Sequence, residues 1–109
     1  MKPSNILINA AGEVKIGDFG SAVHVSDTQD GKFEIEGFSR WYKAPEILFG
    51  SRTYDFRADI WSFACIYAEL LNGSPLFAGI NDFDQISRII KVLGTPNKEN
   101  WPVIFESRV

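Results

Sequence analysis

The apolar residues of this chain fall into three patterns. Two short runs, Ile6-Leu7-Ile8 and Val14-Lys15-Ile16, consist largely of aliphatic residues and flank Asn9-Ala10-Ala11-Gly12-Glu13. Turn-forming residues between two strand-forming runs predict an antiparallel hairpin over residues 6–16. A longer run, residues 56–72, is apolar on nearly every helical face. Asp55 is its expected N-cap and Gly73 its expected C-terminal stop. The third pattern is one-sided. Phe83, Ile86, Ile89, Ile90 and Leu93 recur at helical spacing after an Asn81-Asp82 cap, and Gly94 and Thr95-Pro96 end the helix. Residues 44–50 suit one or two helical turns. Residues 21–39 are polar and irregular, and residues 97–109 read as loop around Trp101-Pro102.

The expected fold class is therefore mainly α with one small β-hairpin. A helix that is apolar all round needs neighbours on every side. One amphipathic helix and one hairpin cannot supply them. The chain is expected to be part of something larger, with exposed apolar faces and poor solubility or a molten state when isolated.

Composition narrows the function classes. The 109 residues carry a net charge of -3 and a pI of about 5.0. Bulk charge of that sign attracts neither nucleic acid nor an anionic membrane. No stretch approaches the roughly 20 apolar residues of a membrane span, and no signal peptide is expected at Met1-Lys2-Pro3. The single cysteine, Cys65, excludes an internal disulfide and suits a reducing compartment, so cytoplasm or nucleus is the default location. Its apolar helical surroundings predict a buried, inert thiol. His24, the only histidine, lies in loop sequence and is given no role.

Chemistry enters through the hairpin. Folding it back returns Asp18, just after the second run, to the side of Asn5, just before the first, because paired strands lie about 5 Å apart. An amide oxygen beside a carboxylate is a hard-oxygen pair suited to Mg²⁺. Taken without context, Asn5 could merely start a hairpin and Asp18 cap a turn.

Four motifs give this pair its context. Lys2-Pro3-Ser4-Asn5, Asp18-Phe19-Gly20, Ala44-Pro45-Glu46 and Asp59-Ile60-Trp61-Ser62 stand in the order and spacing of the protein-kinase C-terminal lobe. The chain resembles that lobe over essentially its whole length. Lys2 is similar to the serine/threonine type. Arg40-Trp41-Tyr42-Lys43-Ala44-Pro45-Glu46 and Gly94-Thr95-Pro96 look like the group of cyclin-dependent, mitogen-activated and glycogen-synthase kinases. Glu69-Leu70-Leu71-Asn72-Gly73-Ser74-Pro75-Leu76-Phe77, Asn81-Asp82 and Trp101-Pro102 most resemble the cell-cycle-related, cyclin-dependent branch. Asp18-Phe19-Gly20-Ser21-Ala22 and Ile89-Ile90-Lys91-Val92-Leu93 look like glycogen synthase kinase, the second choice.

The resemblance implies a partial kinase domain over residues 1–109 of an enzyme that moves the ATP γ-phosphate to Ser or Thr of protein substrates. Its cofactors would be ATP and Mg²⁺, and a cyclin or cyclin-like activator would be its partner. By the same resemblance Asp18 and Asn5 would hold Mg²⁺ and Lys2 would steady the γ-phosphate. Residues 18–46 would be the activation segment. Glu34 stands at the usual phosphothreonine position, where its single charge would partly mimic a phosphate of about -1.5 to -2. Val23 stands where an arginine clamping that phosphate is expected. Ser39 replaces the threonine that touches the catalytic aspartate and keeps the hydroxyl. Gly37-Phe38 departs from the pair that shapes the pocket beyond the acceptor, and Ala64 from a glycine. Glu46 is a structural anchor whose arginine partner would follow Val109, so it is expected to be solvated here. Asp59 would accept hydrogen bonds from the catalytic-loop backbone. Trp41, Trp61 and Trp101 are expected to pack.

Three parts of the reaction machinery are not in these residues: the His-Arg-Asp base, the glycine-rich loop and the strand lysine. The 109 residues alone are therefore expected not to transfer phosphate. The alternative is a catalytically inactive, kinase-derived product that binds partners or has no function.

Overall fold

Asn9 closes the first reversal of the chain. Its side-chain oxygen accepts the backbone N–H groups of Ala11 (3.0 Å) and Glu13 (2.9 Å), and Gly12 supplies the left-handed residue at φ +80°. The flanking runs pair as β1 (Ile6–Ile8) and β2 (Val14–Ile16), antiparallel, with Ile6 opposite Ile16 and Ile8 opposite Val14. This computed structural model describes residues 1–24 and 37–101. Glu34 and the segment after Trp101 lie outside the described residues.

The helical part follows as α1 (Pro45–Leu48), α2 (Arg57–Asn72) and α3 (Asp82–Leu93). Pro45 opens α1, where a missing N–H costs nothing. The start of α2 is one residue later than expected, and Phe56 rather than Asp55 is the capping residue. Asp55 still acts there: its carboxylate accepts the Arg57 N–H at 2.9 Å and pairs with the Arg57 guanidinium at 2.8 Å. Gly73 ends α2 at φ +71°. The Asn81 side chain caps α3 by accepting the Asp84 N–H at 2.8 Å.

Two apolar clusters hold these elements. Tyr42, Cys65, Ile66, Phe77 and Ile89 form the larger, with Met1, Ile6, Leu48, Trp61 and Trp101 packed on its edge. Ala44, Ile47 and Ala58 form the smaller, with Phe38, Tyr54 and Trp61 around it. The expectation that residues 56–72 form a buried helix is corrected within these residues. Only Ala58, Ser62, Cys65 and Ile66 of α2 are buried, while Ile60, Phe63, Tyr67, Leu70 and Leu71 are exposed. The reason is the shortage of partners: α3 and the segment before α1 cover one side only. On α3, Ile89 is fully buried but Phe83 is exposed for the same reason. No helix among the described residues is long and apolar enough to cross a membrane.

Candidate functional site

A turn of 3-10 helix, Pro3–Asn5, runs directly into β1. The ladder continues one step past the strands, with the Gly17 N–H donating to the Asn5 carbonyl at 2.8 Å. Asn5 thus faces Gly17, and Asp18 is the next residue on that end of the hairpin. A side chain at Gly17 would press on Leu7, 3.0 Å from its Cδ1. Asp18 has φ +59°, the one positive φ at a non-glycine among the described residues. That conformation costs on the order of 1 kcal/mol and concentrates at functional positions. Its carboxylate is exposed and accepts the Gly20 N–H at 3.3 Å. One carboxylate and one amide oxygen on the same hairpin end fit Mg²⁺, which takes few protein ligands and fills its shell with water and phosphate oxygens.

An open cavity of about 580 Å³ is lined by Lys2, Pro3 and Ser4, the residues just before Asn5. They line it together with a wall formed by Ser39, Arg40, Trp41 and Tyr42, and with Glu69 of α2. Two residues given separate roles by the resemblance, Lys2 and Ser39, line one cavity. The Ser39 wall is a single 3-10 turn, Arg40–Tyr42, whose Tyr42 N–H returns to the Ser39 carbonyl at 3.0 Å.

Side chains tie that turn down on several sides. The Tyr42 hydroxyl donates to Glu69 Oε2 at 2.7 Å. Burial first, then the Glu69 hydrogen bond and charge, push the Tyr42 phenol well above its usual range. The Ser62 hydroxyl donates to the Tyr42 carbonyl at 2.7 Å. Arg40 donates to Asp82 Oδ1 (2.9 Å) and to the Ile80 carbonyl (3.1 Å), and Lys43 lies 3.4 Å from Asp82 Oδ2. Burial alone would raise the Asp82 carboxyl, but the Arg40 and Lys43 cations outweigh it and hold it below the ordinary value. The Trp41 expectation is corrected: the residue is 41% exposed, and its indole N–H donates to the Gly79 carbonyl at 3.1 Å. Trp61 and Trp101 do pack, edge to face at 6.3 Å, with Trp61 also stacked on Phe77.

The remaining candidates are dispersed. Asp59 is not buried: its side chain is 63% exposed and accepts from the Met1 amino nitrogen at 3.4 Å, across from the start of the Lys2 segment. Glu46 is half-buried at the start of α1, not fully solvated, because α1 is packed into the smaller cluster. Gly37, at φ +89°, approaches the Ser21 hydroxyl, and Phe38 packs edge to face on Tyr54 at 5.6 Å. Cys65 is 3% exposed, and burial together with the Glu69 charge pushes its thiol up to about 11, as befits an inert group. The sequence reading missed the Tyr42–Glu69 bond and the tie through Gln85. The available signal was Gln85 itself, a polar residue four before Ile89 on the buried side of α3.

Residues 1–107 match the family described as "Protein kinase domain". The chain is similar to Cyclin-dependent kinase 20 of Danio rerio and of Homo sapiens, 48% identical to each over 106 residues. That match covers 97% of this chain and 31% of each relative. Among solved structures it is similar to a chain of the CAK complex of Chaetomium thermophilum bound to ATP-gamma-S. The TM-score is 0.87 at 43% identity, over 97% of this chain and 32% of that one. The chain thus spans about a third of the length of the curated relatives it matches. These relatives support the cyclin-dependent branch over the glycogen-synthase branch. Matched from end to end by one family, with a hairpin and three helices in that family's arrangement, the chain belongs to the protein kinase family and represents part of its fold.

Proposed function

We propose that these residues are the part of a cyclin-dependent-type serine/threonine kinase that carries its metal ligands and the acceptor wall of its cleft. The observation that carries this reading is the left-handed Asp18 set beside the Asn5–Gly17 ladder bond, in a chain matched almost completely by the kinase family. Asp18 and Asn5 would hold Mg²⁺. The bound ion would supply charge neutralisation on the ATP phosphates. Lys2 places a flexible cation at the cavity mouth, suited to a γ-phosphate oxygen. Ser39 and the Arg40–Tyr42 turn orient the incoming Ser or Thr hydroxyl from the wall they form, and Tyr42 and Glu69 keep that wall from moving. A cyclin-like activator is supported by the relatives' names, protein substrates by the protein kinase family, and cytoplasm or nucleus is the compartment that suits the single free cysteine.

The general base and the adenine-binding parts are not among the 109 residues, so the chain alone does not transfer phosphate in this reading. Robust phosphorylation of a peptide by the purified chain with Mg·ATP would overturn that half. In a kinase-length protein carrying the chain, Asp18→Asn lowers kcat at least about 100-fold, the scale of losing a principal electrostatic group. Activity that survives this change would sink the metal assignment. For the isolated residues, the exposed apolar side of α2 favours the second reading, an inactive product that binds other chains.

A further inference from the structure

Gln85 is the most enclosed polar side chain described, with 0% exposure in the first turns of α3. A buried amide must spend both its donor and its acceptor, or its burial is costly. It does so across two segments remote in sequence. Its Oε1 accepts the Gly79 N–H at 2.8 Å, and its Nε2 donates to the Trp41 carbonyl at 3.2 Å. The arrangement has no slack. A Cβ at Gly79 would lie 2.5 Å from Gln85 Oε1 and 2.6 Å from the Gln85 Cα and N, so only glycine lets the two backbones approach.

The Trp41 carbonyl belongs to the cavity wall formed by Ser39, Arg40, Trp41 and Tyr42. Within itself that wall has two backbone bonds, Tyr42 to Ser39 and Lys43 to Arg40. It needs outside ties to hold one shape. Those made by Arg40 and Lys43 share a single carboxylate, Asp82, that is about half exposed, and the Arg40 bond lies open to solvent and is individually weak. The Gln85 tie starts from a side chain that is fully buried, and Gln85 is not among the residues that line the cavity.

We infer that Gln85 is a positioning residue: through the Trp41 carbonyl it fixes the wall against which the acceptor peptide lies, while Gly79 locks Gln85 in place. The part concerning the peptide rests on the kinase reading above; the part concerning the wall does not.

Two variants separate the arms. Gln85→Leu loses both bonds. Gln85→Glu keeps an acceptor for the Gly79 N–H but sets a carboxylate oxygen against the Trp41 carbonyl. In the kinase-length protein both should raise the KM for a peptide substrate about tenfold, with the KM for ATP within twofold of the unaltered enzyme. Gln85→Glu behaving like the unaltered enzyme, or equal changes in both KM values, overturns the inference. Hydrogen exchange on the 109-residue chain reads the wall without any activity. The Tyr42 and Lys43 amides should exchange about tenfold faster in both variants while the Cys65 amide in α2 keeps its rate. Unchanged rates, uniform acceleration, or no protection of these amides in the unaltered chain overturns the inference. Altered exchange in a protein that transfers no phosphate keeps the wall and discards the kinase reading.

Discussion

The hairpin and the Arg40–Tyr42 wall are built by opposite means. The hairpin is held by its own backbone ladder and the Asn9 turn, and its aliphatic residues Leu7, Ile8, Val14 and Ile16 are all more than half exposed. The wall has almost no local structure of its own. It is held by Glu69, Ser62, Gly79, Ile80, Asp82 and Gln85, residues twenty or more positions away. A hairpin end can be made by short-range pairing, because two residues one ladder step apart need only a register. A wall with little backbone pairing of its own takes its shape from packing.

The same substitution should therefore have unequal effects on the two sides. Ile89→Ala, at a residue 1% exposed beneath the wall, should cost about 2–5 kcal/mol. Ile8→Ala, at a residue 67% exposed, should stay within about 0.5 kcal/mol. Urea midpoints of the two variants check this, and equal losses would mean that the two regions share one core after all. Gly79→Ala should come next, at about 1–3 kcal/mol, since the added methyl meets backbone that cannot yield easily.

Alkaline titration should also find the wall side. The Cys65 pKa is raised in the folded chain, from an ordinary 9.0 to about 11, so the folded state holds the proton more tightly. Its contribution is complete below pH 9 and is lost as pH rises through 11, at no more than about 1.4 kcal/mol per pH unit. Tyr42 has the same sign and extends the loss higher. Cys65→Ala should flatten the stability profile between pH 9 and 11; an unchanged slope would place that thiol in water. On the wall side the smallest change is Tyr42→Phe, which removes the 2.7 Å bond to Glu69 for about 1–2 kcal/mol, checked by thermal denaturation. If Asn5 and Asp18 hold Mg²⁺ as proposed, neither Tyr42→Phe nor Cys65→Ala should alter Mg²⁺ affinity, because both lie in the other region.

Much of this molecule was readable in advance. Periodicity located both long helices to within a residue or two, since Gly73, Gly94 and Asn81 act on their own neighbours. The hairpin register followed from Asn9 and Gly12 for the same reason. The juxtaposition of Asn5 with the Asp18 end needed only that register. Asp59 and Trp41 were read less well, because exposure depends on which segments arrive to cover a residue. Gln85 was not read at all. A glutamine in an amphipathic helix is usually surface, and nothing within four residues of it names Trp41 or Gly79 as partners.

Local chemistry therefore settled the elements, their ends and the approach of Asn5 to the Asp18 end of the hairpin, since each depends on interactions spanning a few residues. Long-range packing settled the wall, the burial of Gln85 and the uncovered side of α2. Those depend on which distant backbones approach closely enough to exchange hydrogen bonds or exclude water, and a linear pattern does not encode that distance.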